Sequence, residues 1–350
     1  MAAGCSSNQA LADLSLPVLD ERRSVIRKSK AGARRAIVLL LVQALIAVHI
    51  AHWMATGKTM TPLEPSEAMQ FSKSAVVNAG LIFFALTIAS TFLLGRWFCG
   101  WACHLVALQD GSRWLLEKIG LRPRPANLGI LGAVPWAAFV YMFLAPIVQK
   151  LMHGAPVAAS GLRLTTDRFW ATFPSWPVAL ATFLVCGFVI VYLLGAKGFC
   201  NYACPYGAIF GIADQLSPVR IRVNDACDGC GHCTAVCTSN VRVHEEVHDF
   251  GAVVDPACMK CLDCVSVCPK DALRVGFGAP AMFTARREGA GAATGAGFGK
   301  TLLDLGMLGA FLAGCFAVFL DFDRDLDLIP EVVPLLAVLS GSSLVVAAVF

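Results

Sequence analysis

Long apolar runs alternate with shorter polar ones through most of this 350-residue chain. Runs of about 20 apolar residues, the length that crosses a bilayer core as a helix, fall near 36–55, 75–95, 129–149, 177–196, 302–320 and 331–350. Pro135 and Pro146 interrupt the third run and predict a kink, with neighbouring helices taking up the freed carbonyls. Between the fourth and fifth runs the pattern changes. Residues 220–275 are polar, with Val223, Val241, Val243, Val253, Val254, Leu273 and Val275 spaced as short strands flanking two helical turns. Residues 289–299, GAGAATGAGFG, read as a flexible linker. The chain therefore divides into a basic segment 1–35, a four-helix membrane domain 36–219, a small inserted domain 220–275, a linker 276–300 and two further helices in 301–350. The fold class predicted is a polytopic α-helical membrane protein of about six transmembrane helices with one small α+β insert.

Composition supports the membrane reading. Hydrophobic residues make up 57% and charged residues 15%, with mean hydropathy +0.67; soluble domains carry about 25% charged residues. The net charge of +4 matters less than its distribution. Lys and Arg number 22 in 1–35, 96–128 and 197–300, against 6 in the intervening loops. By the positive-inside rule both termini and the insert face the cytoplasm. The first 30 residues lack the apolar core of a signal peptide. No nucleic-acid partner is indicated.

Fifteen cysteines then add the chemistry. Cys227, Cys230, Cys233 and Cys237 follow C-x2-C-x2-C-x3-C, and Cys258, Cys261, Cys264 and Cys268 repeat it, with Pro269 directly after. Three thiolates two residues apart wrap one cubane, and the fourth is carried toward the other cluster. The pattern predicts a ferredoxin-like 2[4Fe–4S] domain: one cluster on Cys227, Cys230, Cys233 and Cys268, the other on Cys258, Cys261, Cys264 and Cys237. Zinc knuckles would instead separate two CxxC pairs by a longer loop. Thr238 follows the first run where the bacterial pattern has proline. His232, inside the first loop, reads as a neighbour of the site, since the cysteine count is complete without it.

A shorter repeat flanks the spans. Phe98-Cys99-Gly100-Trp101-Ala102-Cys103 recurs 101 residues later as Phe199-Cys200-Asn201-Tyr202-Ala203-Cys204. At i, i+4 spacing each pair shares one face if the segment is helical. Cys99, Cys103, Cys200 and Cys204 could bind Cu(I) or another thiophilic ion, act as redox dithiols, or pack as small buried residues. His104 stands where Pro205 stands in the second copy. Cys186 and Cys315, alone within spans, read as packing. His49 and His52, one turn apart beside Trp53, are candidates for quinol contact or for interfacial side chains.

These elements resemble the membrane polyferredoxins, the group of NapH, the membrane half of NosR and the CcoG-like 4Fe–4S proteins with two CxxxCP motifs. The resemblance runs over roughly residues 75–275, on the two CxxxC segments and the eight ferredoxin cysteines. It implies an electron carrier of the cytoplasmic membrane that exchanges electrons between the quinone pool and a redox partner protein or respiratory complex, as a subunit of a quinol-linked oxidoreductase. Two other functions fit the same residues: a metal-handling or assembly factor that reduces or delivers copper for a respiratory enzyme, and a redox sensor. No GxGxxG follows a strand, so the sequence offers no nicotinamide or flavin site.

Overall fold

The computed structural model of the chain describes residues 26–123, 132–154, 157–158, 161–169 and 176–287. The expected spans 302–320 and 331–350, the 289–299 linker and Cys315 lie outside them. In chain order the elements begin with helix α1 (Lys30–Thr56), strand β1 (Thr59–Met60), a 3-10 turn (Pro65–Ala68), α2 (Met69–Ser74) and β2 (Val76–Asn78). Next come α3 (Ala79–Leu94), α4 (Trp97–Trp101), α5 (His104–Lys118) and α6 (Val134–Phe139), the last continued by a π-helical turn (Val140–Leu144) into α7 (Ala145–Met152). Strands β3 (Gly161–Arg163) and β4 (Thr165–Thr166) precede α8 (Trp176–Leu184), a second π turn (Val185–Val189), α9 (Ile190–Leu194), α10 (Gly198–Tyr202) and α11 (Pro205–Leu216). The insert contributes β5 (Val219–Val223), α12 (His232–Ala235), α13 (Val243–Phe250), α14 (Asp263–Val267) and β6 (Leu273–Phe277).

Among the described residues, Lys30–Thr56 and Val134–Met152 are long and apolar enough to cross a membrane; Ala79–Leu94 and Ala179–Leu194 are apolar but shorter. The 16 residues of α3 extend about 24 Å at 1.5 Å per residue, short of the roughly 30 Å hydrocarbon core. Helix α1 turns its apolar side chains outward: Leu40 is 69% exposed, Leu45 68% and Val48 65%. A core helix of a soluble protein would bury that stripe, whereas an outward apolar surface of this extent suits contact with lipid. The kink expected at the third run takes the form of the π turn before α7, in which the N–H of Ala145 reaches back to the Val140 carbonyl. Pro146 follows immediately and has no N–H for a regular helical bond, so the wider turn absorbs the gap.

The chain forms two compact units. The first comprises, of the described residues, those up to Val48, Ala85–Ala107 and those from Ile209 to 287. Its core gathers Ile221, Val241, Val243, Val247, Val253 and Leu273 around Cys258 and Cys264. Strands β5 and β6 pair antiparallel, from Val219 opposite Phe277 to Val223 opposite Leu273. Val243 is helical rather than extended. Val243 and Val247 lie one turn apart and both are buried, while Glu245 and Glu246 in the first turn complement the helix dipole. Glu246 accepts the N–H groups of Val254 (2.6 Å) and Asp255 (2.8 Å), so that stretch bonds to a side chain instead of a sheet.

The start of α1 is fastened to α14. Ser29 Oγ donates to Asp263 Oδ1 (2.6 Å), Arg35 Nη1 to Asp263 Oδ2 (2.6 Å), and the N–H of Lys30 to Ser266 Oγ (2.8 Å). Gly32 lies so close to Asp263 that an added Cβ would stand 2.8 Å from its Oδ1. Deeper in the same unit, Asp214 Oδ1 accepts from Lys260 Nζ (2.8 Å) and from the backbone N–H of Arg96 (3.0 Å), and its Oδ2 forms an ion pair with Arg220 Nη2 (3.1 Å).

The second unit comprises His49–Phe84 and the described residues of Leu108–Ala208. There β1 pairs with β4 antiparallel and β2 with β3 parallel. Asn78 caps α3 by accepting the N–H of Leu81 (2.7 Å) and holds buried Glu67 with its amide. Phe84, Phe139, Phe143 and Tyr206 stack into an aromatic core.

Removing one partner of a buried ion pair leaves the other charge uncompensated, at a cost of about 3–5 kcal/mol. Asp263→Ala is therefore expected to lower the Tm of the purified protein markedly, measured by thermal unfolding. The paired change Arg35→Met with Asp263→Leu should recover most of the loss.

Candidate iron–sulfur site

Both cysteine loops of the first unit turn through left-handed backbone on either side of their second cysteine. In the first loop Gly229 (φ 73°) and Gly231 (φ 75°) supply it; in the second, Lys260 (φ 50°) and Leu262 (φ 65°) do. Glycine adopts this conformation freely, whereas a side chain costs about 1–2 kcal/mol there. The tight turns aim successive N–H groups inward. His232 donates to the Cys230 sulfur, Thr234 to Cys233, Ser239 and Val241 to Cys237, Lys260 to Cys258, and Asp263 to Cys261. Ala272 N–H reaches Cys268 Sγ at 3.3 Å. Amide N–H groups on sulfur stabilise thiolate ligands and the negative charge of a cluster.

The fourth cysteine of each run crosses to the other loop. Cys227, Cys230, Cys233 and Cys268 line one pocket, and Cys230 interacts electrostatically with Cys268. Cys237 has Cys261 and Cys258 as its electrostatic neighbours, and Cys264 has Cys261, Cys258, Cys237 and Cys233. Burial pushes the Cys233 thiol up to about 12, helped by Cys230, and the Cys261 thiol up to about 11. Cys237, Cys258 and Cys264 are driven up by the same burial. Thiols raised in this way ionise together only against a strong positive charge, which an iron core would supply. A single tetrahedral zinc would draw its sulfurs to about 3.8 Å of one another, from a Zn–S bond of about 2.3 Å. Among the described residues no three His, Cys, Asp or Glu side chains converge on such a point. The donor set fits two polynuclear clusters.

The environments of the two loops differ. Cys227 is exposed, whereas Cys258, Cys261 and Cys264 are buried. The second loop also carries the contacts of the first CxxxC segment. Gly100 packs so closely on the Met259 carbonyl that a Cβ there would overlap it. Trp101 Nε1 donates to the Lys260 carbonyl (2.9 Å), and Arg96 Nη1 to that of Pro256 (2.6 Å).

Neither CxxxC pair lies on one helix face. Helix α4 stops at Trp101 and α10 at Tyr202, and a new helix starts one residue past each second cysteine, at His104 and Pro205. The breaks match bond for bond: Ala102 and Cys103 donate to the Phe98 carbonyl as Ala203 and Cys204 do to that of Phe199. His104 opens α5 as Pro205 opens α11. Each pair so holds one buried thiol, Cys99 or Cys200, and one half-buried thiol, Cys103 or Cys204. Burial raises the Cys99 thiol, and Arg96 beside it acts the other way. In the second unit Gln109 Nε2 lies 2.9 Å from Cys200 Sγ, and Lys197 pairs with Asp110. Cys186 is buried, as packing predicts. His49 Nε2 bonds the Met60 carbonyl (3.0 Å) and stacks edge-on against Phe169, while His52 Nδ1 bonds Thr59 Oγ1 (3.2 Å).

Sequence reasoning passed over Asp214, Lys260 and Asp263. A lone acid in an otherwise apolar stretch was the available signal for Asp214, and a lysine where the other loop has glycine was the signal for Lys260.

A family model described as a 4Fe-4S binding domain matches residues 78–122 and 176–224, and so contains both CxxxC segments. A second, described as a 4Fe-4S dicluster domain, matches residues 226–273 with all eight cysteines. The ferredoxin-type protein NapH of Haemophilus influenzae is 29% identical over 61% of this chain and 71% of its own length. The methylamine utilization ferredoxin-type protein MauN of Methylorubrum extorquens is 28% identical, covering 50% of this chain and 60% of its own. The regulatory protein NosR of Stutzerimonas stutzeri is 28% identical over 52% of this chain, a match that takes in 25% of NosR. The chain thus spans only part of these relatives. No solved structure matches it. On these matches the chain is similar to the NapH- and NosR-like polyferredoxins and contains 4Fe–4S binding domains.

Proposed function

We propose that this chain is a membrane-bound carrier that passes electrons between the quinone pool and a redox partner protein or respiratory complex. Cys227, Cys230, Cys233 and Cys268 hold one [4Fe–4S] cluster; Cys258, Cys261, Cys264 and Cys237 hold the other. The observation that carries this reading is the seating of the second cysteine loop on the Arg96–Trp101 stretch at the end of the apolar helix α3. That contact sets one cluster against the membrane-proximal segment and leaves the loop of Cys227 open to a partner. The clusters supply one-electron chemistry; the protein's residues hold them, exclude water from the second and present the first. Both termini and the cluster domain face the cytoplasm in this reading, and quinol meets the chain at His49 and His52, beside Trp53 and Phe169.

A second reading rests on Cys200. An amide N–H aimed at a buried sulfur favours the thiolate form, which suits Cu(I) and would make the CxxxC pairs part of a metal-handling or assembly device.

Three measurements test these assignments. Cys237→Ser should remove one of two EPR-detectable clusters and reduce iron from about eight to about four per chain; loss of neither cluster overturns the crossed ligation. A quinol analogue added anaerobically to oxidised protein should bleach the clusters' visible absorbance. His49→Ala with His52→Ala should slow that bleaching at least tenfold with iron content unchanged, and an unaltered rate removes the histidines from the quinol site. Reporter fusions after residue 287 should read cytoplasmic, and a periplasmic signal refutes the orientation.

A further inference from the structure

Resting on the ligand assignment above, we infer that Lys260 sets the reduction potential of the second cluster, and that Asp214 moderates its charge. The two loops are equivalent position by position: Cys227-Asp228-Gly229-Cys230 against Cys258-Met259-Lys260-Cys261. Where the first has an acid and a glycine, the second has an apolar residue and a cation. Gly229 takes its left-handed conformation without cost, while Lys260 takes the same conformation at φ 50° against its own preference. Backbone strain held in place by its surroundings marks a side chain kept for what it does. This side chain is buried, and its ammonium reaches Asp214 Oδ1 at 2.8 Å.

Several buried charges surround the second loop. Asp214 faces the Lys260 ammonium, the Arg220 guanidinium and the backbone N–H of Arg96, and Asp255 senses the Arg96 and Lys260 charges. Asp263, the remaining acid of the loop, is already paired with Arg35. Glu246 in turn senses Arg220 and Asp255, so three carboxylates meet three cations, and Lys260 is the cation within the cysteine loop itself. The first loop carries Asp228, whose Oδ1 accepts the Cys230 N–H at 3.2 Å and adds negative charge, while the cation Lys270, just past the second run, lines the same pocket from outside the loop. Reduction places one more electron on a cluster, so a buried cation favours the reduced form and a carboxylate opposes it. Burial alone would make the second cluster the harder to reduce; Lys260 counters that penalty where it is largest. The electron accordingly rests on the cluster whose loop also receives Trp101 through the Lys260 carbonyl, and the exposed first cluster exchanges with the partner.

Redox titration of the full-length, detergent-purified protein, followed by EPR with iron content measured in parallel, tests this. The unchanged protein must first show two clusters; fewer would overturn the ligand assignment rather than the role of Lys260. Lys260→Met is expected to lower the potential of one cluster only, and Lys260→Arg to restore it. Asp214→Asn is expected to shift the same cluster in the opposite direction, and its sign decides the matter should Lys260→Met not retain iron. Unchanged potentials, equal shifts of both clusters, or shifts of one sign in the two variants would each overturn the inference.

Discussion

One carboxylate ties the first unit together. Asp214 is fully buried, and an isolated ionised carboxylate in that position would be prohibitively costly. It is sustained by donors from three separate places: Lys260 in a cysteine loop, Arg220 at the start of β5, and the N–H of Arg96 before α4. Arg220 also donates to the Val253 carbonyl and to that of Asp214 itself. A helix end, a strand, a cysteine loop and the CxxxC segment thus share one charge. Such a network rigidifies when complete and is costly when any member is missing.

The repeat of CxxxC segments shows how far a pattern can be read and where it stops. Recurrence of Phe-Cys-x-x-x-Cys at a fixed offset was visible in the letters, and the backbone bonds of the two copies agree with it. The helix break inside each copy was not visible. Spacing of four allows a shared helix face only if the helix continues, and here Ala102 and Ala203, good helix formers, end it. Tertiary packing overrides local propensity at both positions. The same holds for Val243, whose β-branched side chain suggests a strand while burial with Val247 makes it helical.

The cysteine-rich stretch matched as a 4Fe-4S dicluster domain was legible because the chemistry of such domains dictates the spacing of their cysteines directly. Their supporting residues were not, since Asp214, Lys260 and Asp263 act across sequence separations of 46 and 228 residues. Nothing local marks Arg35 as the partner of Asp263. Apolar runs placed the helices but overestimated some lengths: the second run of 75–95 resolves into β2, α3 and a left-handed Gly95. Hydropathy sees composition, whereas the helix ends where Asn78 caps it and glycine turns it.

Gly100 carries a consequence for how this architecture can change. Its counterpart in the second copy is Asn201. The absence of a single Cβ lets backbone meet backbone at Met259. The two segments are similar, yet only the one without that atom can receive a cysteine loop at van der Waals range. The two halves are no longer interchangeable parts. A side chain at position 100 would force the cysteine loop and the helix end apart, so the join between them depends on one missing carbon.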